Sequence, residues 1–298
     1  MLLSDCLNKF INYQLFKNNS KNTISDYSII IKKFIDFVNN KDSFELSADD
    51  VNNYNLYMRD FVSNTSVRTY IRHIRVFINY LISQNLCNNI YNDIIVPRSD
   101  KVIVDILQPD EIKKLLSCFC NNDFYSIRNK CMIMLMLDCG LRASEVVNLK
   151  YTSINYDSGY IKVMGKGSKE RIVPFGNSVA LAFSDYNKVR LCNFPLYFYN
   201  LYTLSLNGSC GALTTNVFKK MFNKLRTDTG IFRLHPHLLR HTYATNYLLY
   251  STGDIFQLAM LLGHSSTKTT EIYLHIANYY RFMQTKNTYS FLDSEFKK

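Results

Sequence analysis

Residues 235–245 read HPHLLRHTYAT and pack three histidines and an arginine into seven consecutive positions. If a helix begins near Pro236, His237 and Arg240 lie three residues apart on one face of it. One imidazole and one forked guanidinium then point at a common spot, which suits phosphate binding and proton transfer. A metal site is the alternative, because His237 and His241 are four residues apart. However, HLLRH lacks the glutamate of HExxH, and Arg240 would repel a cation.

Upstream of this segment, residues 139–146 (CGLRASEV) place Arg142 at the start of an apolar-periodic helix. An arginine beside a helix N-terminus forms an electropositive spot that suits a phosphate. The alternative is a surface arginine whose partner is Glu145. The two interpretations are compatible if Glu145 holds the guanidinium in position.

Downstream, residues 261–275 (LLGHSSTKTTEIYLH) end one helix at Gly263 and begin another. His264 follows the glycine, and Tyr273 lies nine residues after His264. A tyrosine on a helix most often packs in the core or on the surface. Among 22 tyrosines, Tyr273 taken alone therefore indicates no function.

Between these segments, residues 151–175 contain short β-rich runs separated by turn residues, which predicts a small antiparallel sheet. The turn GKGSK (165–169) resembles a nucleotide-binding loop, but Tyr160 and Gly167 stand where a P-loop needs glycine and Ser or Thr. A basic hairpin tip that reaches a phosphate remains open. Lys169 and Arg171 are then candidate DNA contacts.

The rest of the chain has mostly helical periodicity. In Ser66–Gln84 the apolar residues form one stripe, and Arg68, Arg72 and Arg75 lie on the other side, facing either DNA or solvent. Ser47 followed by Asp50 predicts a helix start, and four helices account for residues 1–90. The stretch 191–211 shows no clear period and stays unassigned. The predicted fold class is mainly α with a small antiparallel β-sheet (α+β).

The net charge of +11 is distributed unevenly along the chain. Residues 1–100 carry 11 basic and 10 acidic side chains, whereas residues 101–298 carry 24 and 14. This excess favours a polyanionic partner for the C-terminal part, with a generally basic protein as the alternative. The eight cysteines include no CxxC pair, which argues against a zinc site. We expect no membrane segment, since no apolar run approaches the roughly 18 residues that a spanning helix needs.

Taken together, in this order and at these spacings, the motifs resemble the tyrosine recombinase (phage integrase) family, in particular its Xer-type and transposon-type members. CGLRASEV is similar to the box of the first catalytic arginine, GKGSKERIVPF to the hairpin of the catalytic lysine, and HPHLLRHTYAT to the H-x-x-R box. LLGHSS is similar to the box of the second histidine. The resemblance thus implies six catalytic residues and one supporting acid: Arg142, Lys166, His237, Arg240, His264 and Tyr273, with Glu145.

The resemblance also implies the organisation of the chain. It predicts an N-terminal helical core-binding (SAM-like) DNA-binding domain over 1–97, a linker over 98–108, and a catalytic domain with a C-terminal tail over 109–298. The expected partners are double-stranded DNA recombination sites and, on synapsed DNA, three further copies of the chain, with a monomer when free. The tail after Tyr273 offers Ile276, Tyr279, Tyr280 and Phe282 for docking onto its own domain or a neighbour. The expected location is the cytoplasm, at the nucleoid when the protein is bound to DNA.

The mechanism implied by the resemblance is site-specific recombination through a 3′-phosphotyrosine at Tyr273 and a four-way junction, with no metal, ATP or other cofactor. His237 would accept the phenol proton, and Lys166 would protonate the departing 5′-oxygen. A type IB topoisomerase-like relaxation of DNA uses the same residue types and is the alternative. A non-catalytic DNA-binding module of the same fold is a further alternative.

Overall fold

The computed structural model describes residues 1–98, 105–165, 169–191, 193–201, 210–264 and 266–284. The chain divides into two compact units, Met1–Val102 and Ile103–Lys298. The predicted fold class is confirmed, because helices dominate and the strands form small antiparallel sheets. None of the described helices combines the length and the apolar character needed to cross a membrane.

The first unit contains four α-helices, as its periodicity predicts: α1 (Leu3–Phe16), α2 (Lys21–Phe37), α3 (Ala48–Met58) and α4 (Asn64–Ser83). Serine side chains cap three of them by accepting a backbone N–H, and these serines are Ser20, Ser47 and Ser63. The predicted capping box of Ser47 and Asp50 is present, with both reciprocal hydrogen bonds. Left-handed asparagines follow three helices at Asn18, Asn39 and Asn85, where a residue that tolerates positive φ ends the helix.

The core of the first unit is built on the apolar stripe of α4. The predicted positions Val67, Ile71, Ile74, Phe77, Ile78 and Leu81 are fully buried. They pack against aromatic side chains of the other helices, including Phe10 and Phe34. Burying each such side chain contributes roughly 1.5–3 kcal/mol, so tertiary packing rather than helix propensity holds α4 in place.

The second unit contains the remaining described α-helices and the described strands. Its helices are α5 (Pro109–Ser117), α6 (Phe124–Asp138), α7 (Ala143–Val147), α8 (Asn177–Val189), α9 (Thr215–Thr229), α10 (Pro236–Tyr250), α11 (Ile255–Leu262) and α12 (Glu271–Gln284). Its strands are β1 (Ile154–Asn155), β2 (Tyr160–Met164), β3 (Glu170–Pro174), β4 (Tyr199–Leu201) and β5 (Cys210–Ala212). The core is centred on α6, whose Cys131, Met132, Leu135 and Met136 are fully buried.

The three-stranded antiparallel sheet β1–β2–β3 lies where the sequence predicts it. Ile161 of β2 pairs with Val173 of β3, and both side chains are buried. Val163 pairs with Arg171, so Arg171 stands on the same inward face as these apolar residues. A second antiparallel pair, β4 with β5, occupies part of the stretch that sequence periodicity leaves unassigned.

The last described helix, α12, packs against α10 within its own unit. Ala244 and Leu248 of α10 form a small apolar cluster with Tyr273 and Ala277 of α12. Ala244 and Ala277 are fully buried, and such small side chains let two helix backbones approach closely. This packing fixes where the hydroxyl of Tyr273 lies along α10. Tyr279 is exposed, and the side chain of Phe282 lies outside the described residues.

The serine cap of α3 provides a test of the first unit. Ser47→Ala removes the acceptor for the Asp50 N–H, and we expect the free energy of unfolding to fall by about 1 kcal/mol. Ser47→Thr keeps a hydroxyl acceptor and should retain most of that free energy. Urea unfolding followed by circular dichroism measures both. Equal losses in the two variants would show that the cap hydrogen bond contributes nothing.

Candidate active site

The carboxylate of Glu145 lies at the centre of a cluster of arginines. It accepts hydrogen bonds from Arg142 Nη1 at 2.8 Å and from Arg171 Nη1 and Nη2 at 2.8 and 2.9 Å. Arg240 Nη1 lies 3.9 Å from Glu145 Oε2. The Glu145 side chain is 5% exposed. Three guanidinium groups from three separate elements therefore converge on one buried carboxylate.

Local helix geometry sets the position of Glu145. It is the third residue of α7, and its Oε2 accepts the backbone N–H of Arg142 at 2.8 Å in a capping box. Burial raises the pKa of Glu145, but the hydrogen bonds and charges of Arg171 and Arg142 outweigh that effect and hold the pKa below its ordinary value of 4.5. Glu145 is therefore ionised at neutral pH and neutralises part of the arginine charge.

Arg240, on α10, is only 3% exposed, and its guanidinium is held by two backbone carbonyls. Nη1 donates to the Gly140 carbonyl and Nη2 to the Leu262 carbonyl, each at 2.6 Å. Leu262 is the last residue of α11 and Gly140 lies two residues beyond α6, so the guanidinium is near two helix C-termini, where helix dipoles favour a cation. Burial, followed by repulsion from Arg142, lowers the pKa of Arg240 to about 10, so the guanidinium stays charged at neutral pH.

His264 lies directly beyond α11, where Gly263 has φ 64° and ends the helix. Its Nε2 lies 3.2 Å from Arg240 Nη2, and its Nδ1 lies 2.9 Å from Thr270 Oγ1. Because a guanidinium can only donate, Nε2 must accept and the ring proton must sit on Nδ1. Burial and the neighbouring arginines lower the pKa of His264 to about 4, which agrees with this neutral tautomer.

Tyr273, on α12, is 4% exposed and lies beside these groups. Its ring is nearly parallel to that of His264, with centroids 6.5 Å apart. Its hydroxyl lies 2.8 Å from His241 Nδ1. Burial raises the pKa of Tyr273, and the charges of Arg240 and Arg142 only partly offset that effect. The phenol is therefore protonated in the free protein.

The remaining predicted catalytic residues lie around this cluster. His237 is exposed on α10, one helical turn before His241, with ring centroids 6.3 Å apart. Lys166 lies outside the described residues. The stem of its hairpin is described, because Met164 pairs with Glu170 and Gly165 N–H donates to the Lys169 carbonyl at 2.8 Å.

The candidate DNA contacts divide into two groups. Lys169 is exposed beside the hairpin tip, and Arg72 is exposed on α4. Arg68 and Arg75 are half-buried, and the Arg75 guanidinium stacks 4.1 Å from the Tyr91 ring centroid. These four residues stay predicted DNA contacts.

Arg171 requires a correction to its predicted role as a DNA contact. Its side chain is 10% exposed, its Nε donates to the Leu261 carbonyl at 2.7 Å, and its other nitrogens bind Glu145. The physical reason is the position of Arg171 in β3. It stands two residues before the buried Val173, so the two side chains lie on the same inward face of the sheet. It ties the base of the hairpin to α7 and to the end of α11.

His241 is the residue whose place in the site the sequence interpretation missed. From the sequence, His241 is considered only as half of a metal pair with His237, yet it is His241 that shares a hydrogen bond with the Tyr273 hydroxyl. Its position four residues after His237, and next to Arg240, already puts it near the same face of α10.

Within the part of the chain that the structure describes, no group of three or more His, Cys, Asp or Glu side chains is arranged to hold a metal ion. The three guanidiniums around Glu145 would also repel a cation at this place. Their charge instead favours an anion. The arrangement can bind a phosphate next to a phenol hydroxyl.

Two family models match the chain. Residues 105–279 match "Phage integrase family", and residues 6–87 match "Phage integrase, N-terminal SAM-like domain". The first match includes every described residue of the arginine cluster as well as Tyr273.

Individual proteins are similar over nearly the whole chain. The tyrosine recombinase XerC of Leptospira interrogans is 32% identical over 284 residues, covering 92% of this chain and 90% of that protein. The tyrosine recombinase XerD of Oceanobacillus iheyensis is 30% identical over 264 residues, covering 86% and 88%. Among solved structures, the Tn1549 transposon integrase in complex with transposon right end DNA superposes with a TM-score of 0.76 at 19% identity, covering 95% of this chain and 100% of that one.

Gly140 offers a test of how Arg240 is held. A Cβ at Gly140 would lie 2.3 Å from Tyr243 Cδ1, whereas a Cβ at Gly230 would meet open space, and both glycines have positive φ. Each alanine substitution costs roughly 1–2 kcal/mol for the left-handed backbone, and Gly140→Ala adds roughly 1–3 kcal/mol of overpacking. Urea unfolding should therefore show a clearly larger loss for Gly140→Ala. Indistinguishable losses would mean that the packing around the Gly140 carbonyl is loose.

Proposed function

The chain belongs to the phage integrase family, and from that membership we propose that Tyr273 is the nucleophile with which it cuts and rejoins DNA. The enzyme is a tyrosine recombinase, and its reaction is site-specific recombination. The observation that supports Tyr273 is the place of its side chain: it is buried, and its ring lies alongside that of His264, whose Nε2 is 3.2 Å from Arg240 Nη2.

The proposed first step is attack of Tyr273 Oη on the scissile phosphorus, as the phenol proton passes to a neighbouring imidazole of α10. A P–O bond forms to tyrosine, the bond to the 5′-oxygen breaks, and the 3′-phosphate stays on the protein. The 5′-hydroxyl of the partner strand then attacks this linkage and releases the phenol. One phosphodiester replaces another in each exchange, so the reaction needs no ATP.

Arg142 and Arg240 are the proposed ligands of the non-bridging phosphate oxygens. Arg142 is half-buried and its side chain is 30% exposed, so an entering phosphate can reach it. Contacts with the described residues occupy three of the five N–H groups of Arg240. Two N–H groups are left for an entering phosphate. Preorganised cations stabilise the charge that develops on these oxygens, and losing one such donor costs about a hundredfold to a thousandfold in rate.

The other proposed roles follow from position. His237 is exposed at the site and can bind the phosphate, and His264 adjoins Arg240. Lys166, on the β2–β3 hairpin, is the proposed donor of a proton to the departing 5′-oxygen. Arg171 and Glu145 position the arginine cluster without touching DNA. The boundaries predicted for the domains, at 1–97, 98–108 and 109–298, belong to the same proposal.

Covalent trapping tests the nucleophile. A library of nicked duplexes with a randomised central segment supplies suicide substrates, because the nick lets a short product escape and prevents religation. We expect the wild-type protein to form adducts that withstand detergent, and the captured duplexes identify its site. Tyr273→Phe should form none while binding the captured duplex with unchanged affinity. An adduct that persists in Tyr273→Phe would remove Tyr273 from this role.

Two further arms of the same assay separate the alternatives. EDTA should leave the yield of the adduct unchanged, because arginines provide the positive charge; loss of the adduct would indicate a metal-dependent enzyme. A supercoiled plasmid without the captured site should stay supercoiled. Efficient relaxation of that plasmid would instead support the topoisomerase-like alternative.

We further propose that four protomers act together on two DNA sites. Exchange between two duplexes breaks four strands, and each protomer supplies one Tyr273, so four protomers are needed. Native mass spectrometry should show a monomer without DNA and four copies with two captured duplexes. A complex with only two copies that still completes recombination would contradict this assembly.

A further inference from the structure

Among the described residues, the Tyr273 hydroxyl has a hydrogen-bond partner that the mechanism above does not name, the imidazole of His241. His241 Nδ1 lies 2.8 Å from Tyr273 Oη, within the ordinary range for an O–H···N hydrogen bond. The two rings are tilted by 45° with centroids 5.5 Å apart, so they meet at their edges rather than stack. The contact spans 32 positions of sequence and joins α10 to α12.

The charge state of His241 fixes the direction of this hydrogen bond. Burial, together with repulsion from His237, His235 and Arg240, lowers the pKa of His241 to about 4. His241 is therefore neutral at neutral pH. Since Tyr273 keeps its proton, the phenol O–H donates and Nδ1 accepts, which places the ring proton of His241 on Nε2.

Packing holds the two partners at this separation. Beyond His241, Ala244 and Leu248 of α10 lie in one apolar cluster with Tyr273 and Ala277. His241 is also the immediate neighbour of Arg240, whose guanidinium is fixed by two carbonyls. Helix α10, which carries Arg240, thus also carries the hydrogen-bond acceptor of the Tyr273 hydroxyl. A shift of the phenol relative to Arg240 would have to break this bond.

We propose that His241 positions the nucleophile: its Nδ1 accepts the phenol O–H and aims Tyr273 Oη at the phosphate held by Arg142 and Arg240. This inference rests on the proposed role of Tyr273. It assigns to His241 the contact with the phenol that the sequence gives to His237, and it leaves His237 free for the phosphate. A misplacement of the attacking atom by about 1 Å can cost about a hundredfold in rate.

Three substitutions at position 241 separate positioning from packing. His241→Asn places an amide oxygen near the position of Nδ1, because both atoms are bonded to Cγ. His241→Gln places its amide one bond further away, near the position of Nε2. His241→Leu keeps the bulk and offers no acceptor. On the captured nicked duplex, we expect single-turnover cleavage to fall about a hundredfold in His241→Leu and His241→Gln and to recover to within about tenfold in His241→Asn.

Two controls accompany these variants. His275→Leu makes the same substitution at an exposed position of α12 and should cleave at the wild-type rate. Binding of the captured duplex should be unchanged in all four variants, so that the loss lies in the rate of cleavage and not in affinity. Thermal melting identifies any variant whose loss comes from unfolding.

The outcomes distinguish this inference from the function on which it rests. Wild-type cleavage in His241→Leu, with an adduct that still requires Tyr273, would overturn the role of His241 and leave the nucleophile in place. Equal rates in the Asn and Gln variants would also overturn it, because packing alone would then explain the effect. Failure of the wild-type protein to form any adduct at Tyr273 would instead remove the proposed function.

Discussion

The site depends on one buried ion cluster, the carboxylate of Glu145 between the guanidiniums of Arg142, Arg171 and Arg240. Three separated segments, α7, β3 and α10, meet at this carboxylate. Removing one partner of a buried ion pair costs about 3–5 kcal/mol, because the remaining charge stays buried without compensation. Glu145 therefore does more than form an ion pair with Arg142. Without its carboxylate, the largely buried Arg171 and Arg240 would repel each other.

The same cluster explains why the site suits a phosphate. Three guanidiniums face one carboxylate, which leaves two positive charges uncompensated within the cluster. Burial is the main reason why the pKa values of the nearby His241 and His264 are low, and Arg240 lowers both further, so both imidazoles are neutral and can accept hydrogen bonds in the free protein. An entering phosphodiester would supply the missing negative charge. In the free protein the phenol of Tyr273 is protonated, and it lies next to the place where the phosphate would bind.

Much of this could be predicted from the sequence, because the informative signals are local. The capping box at Ser47 and the apolar stripe of α4 follow from spacing alone, and both are confirmed. The place of Arg171 could have been found too: it stands two residues before Val173 in a strand, hence on the buried face. The contact of His241 with Tyr273 could not be found this way, because it depends on how α12 packs on α10, and no local pattern encodes that packing. The β4–β5 pair, in a stretch rich in aromatics without period, escaped for a similar reason.

The most direct test is a crystal structure of the Tyr273→Phe protein with its captured, uncleaved duplex. The measurement is the distance from the guanidinium nitrogens of Arg142 and Arg240 to the non-bridging oxygens of the phosphate nearest residue 273. We expect both arginines to lie within about 3 Å of oxygens on that one phosphate, with Glu145 still bridging Arg142 and Arg171. Guanidiniums bound to two different phosphates, or a Glu145 carboxylate released from both arginines, would contradict it.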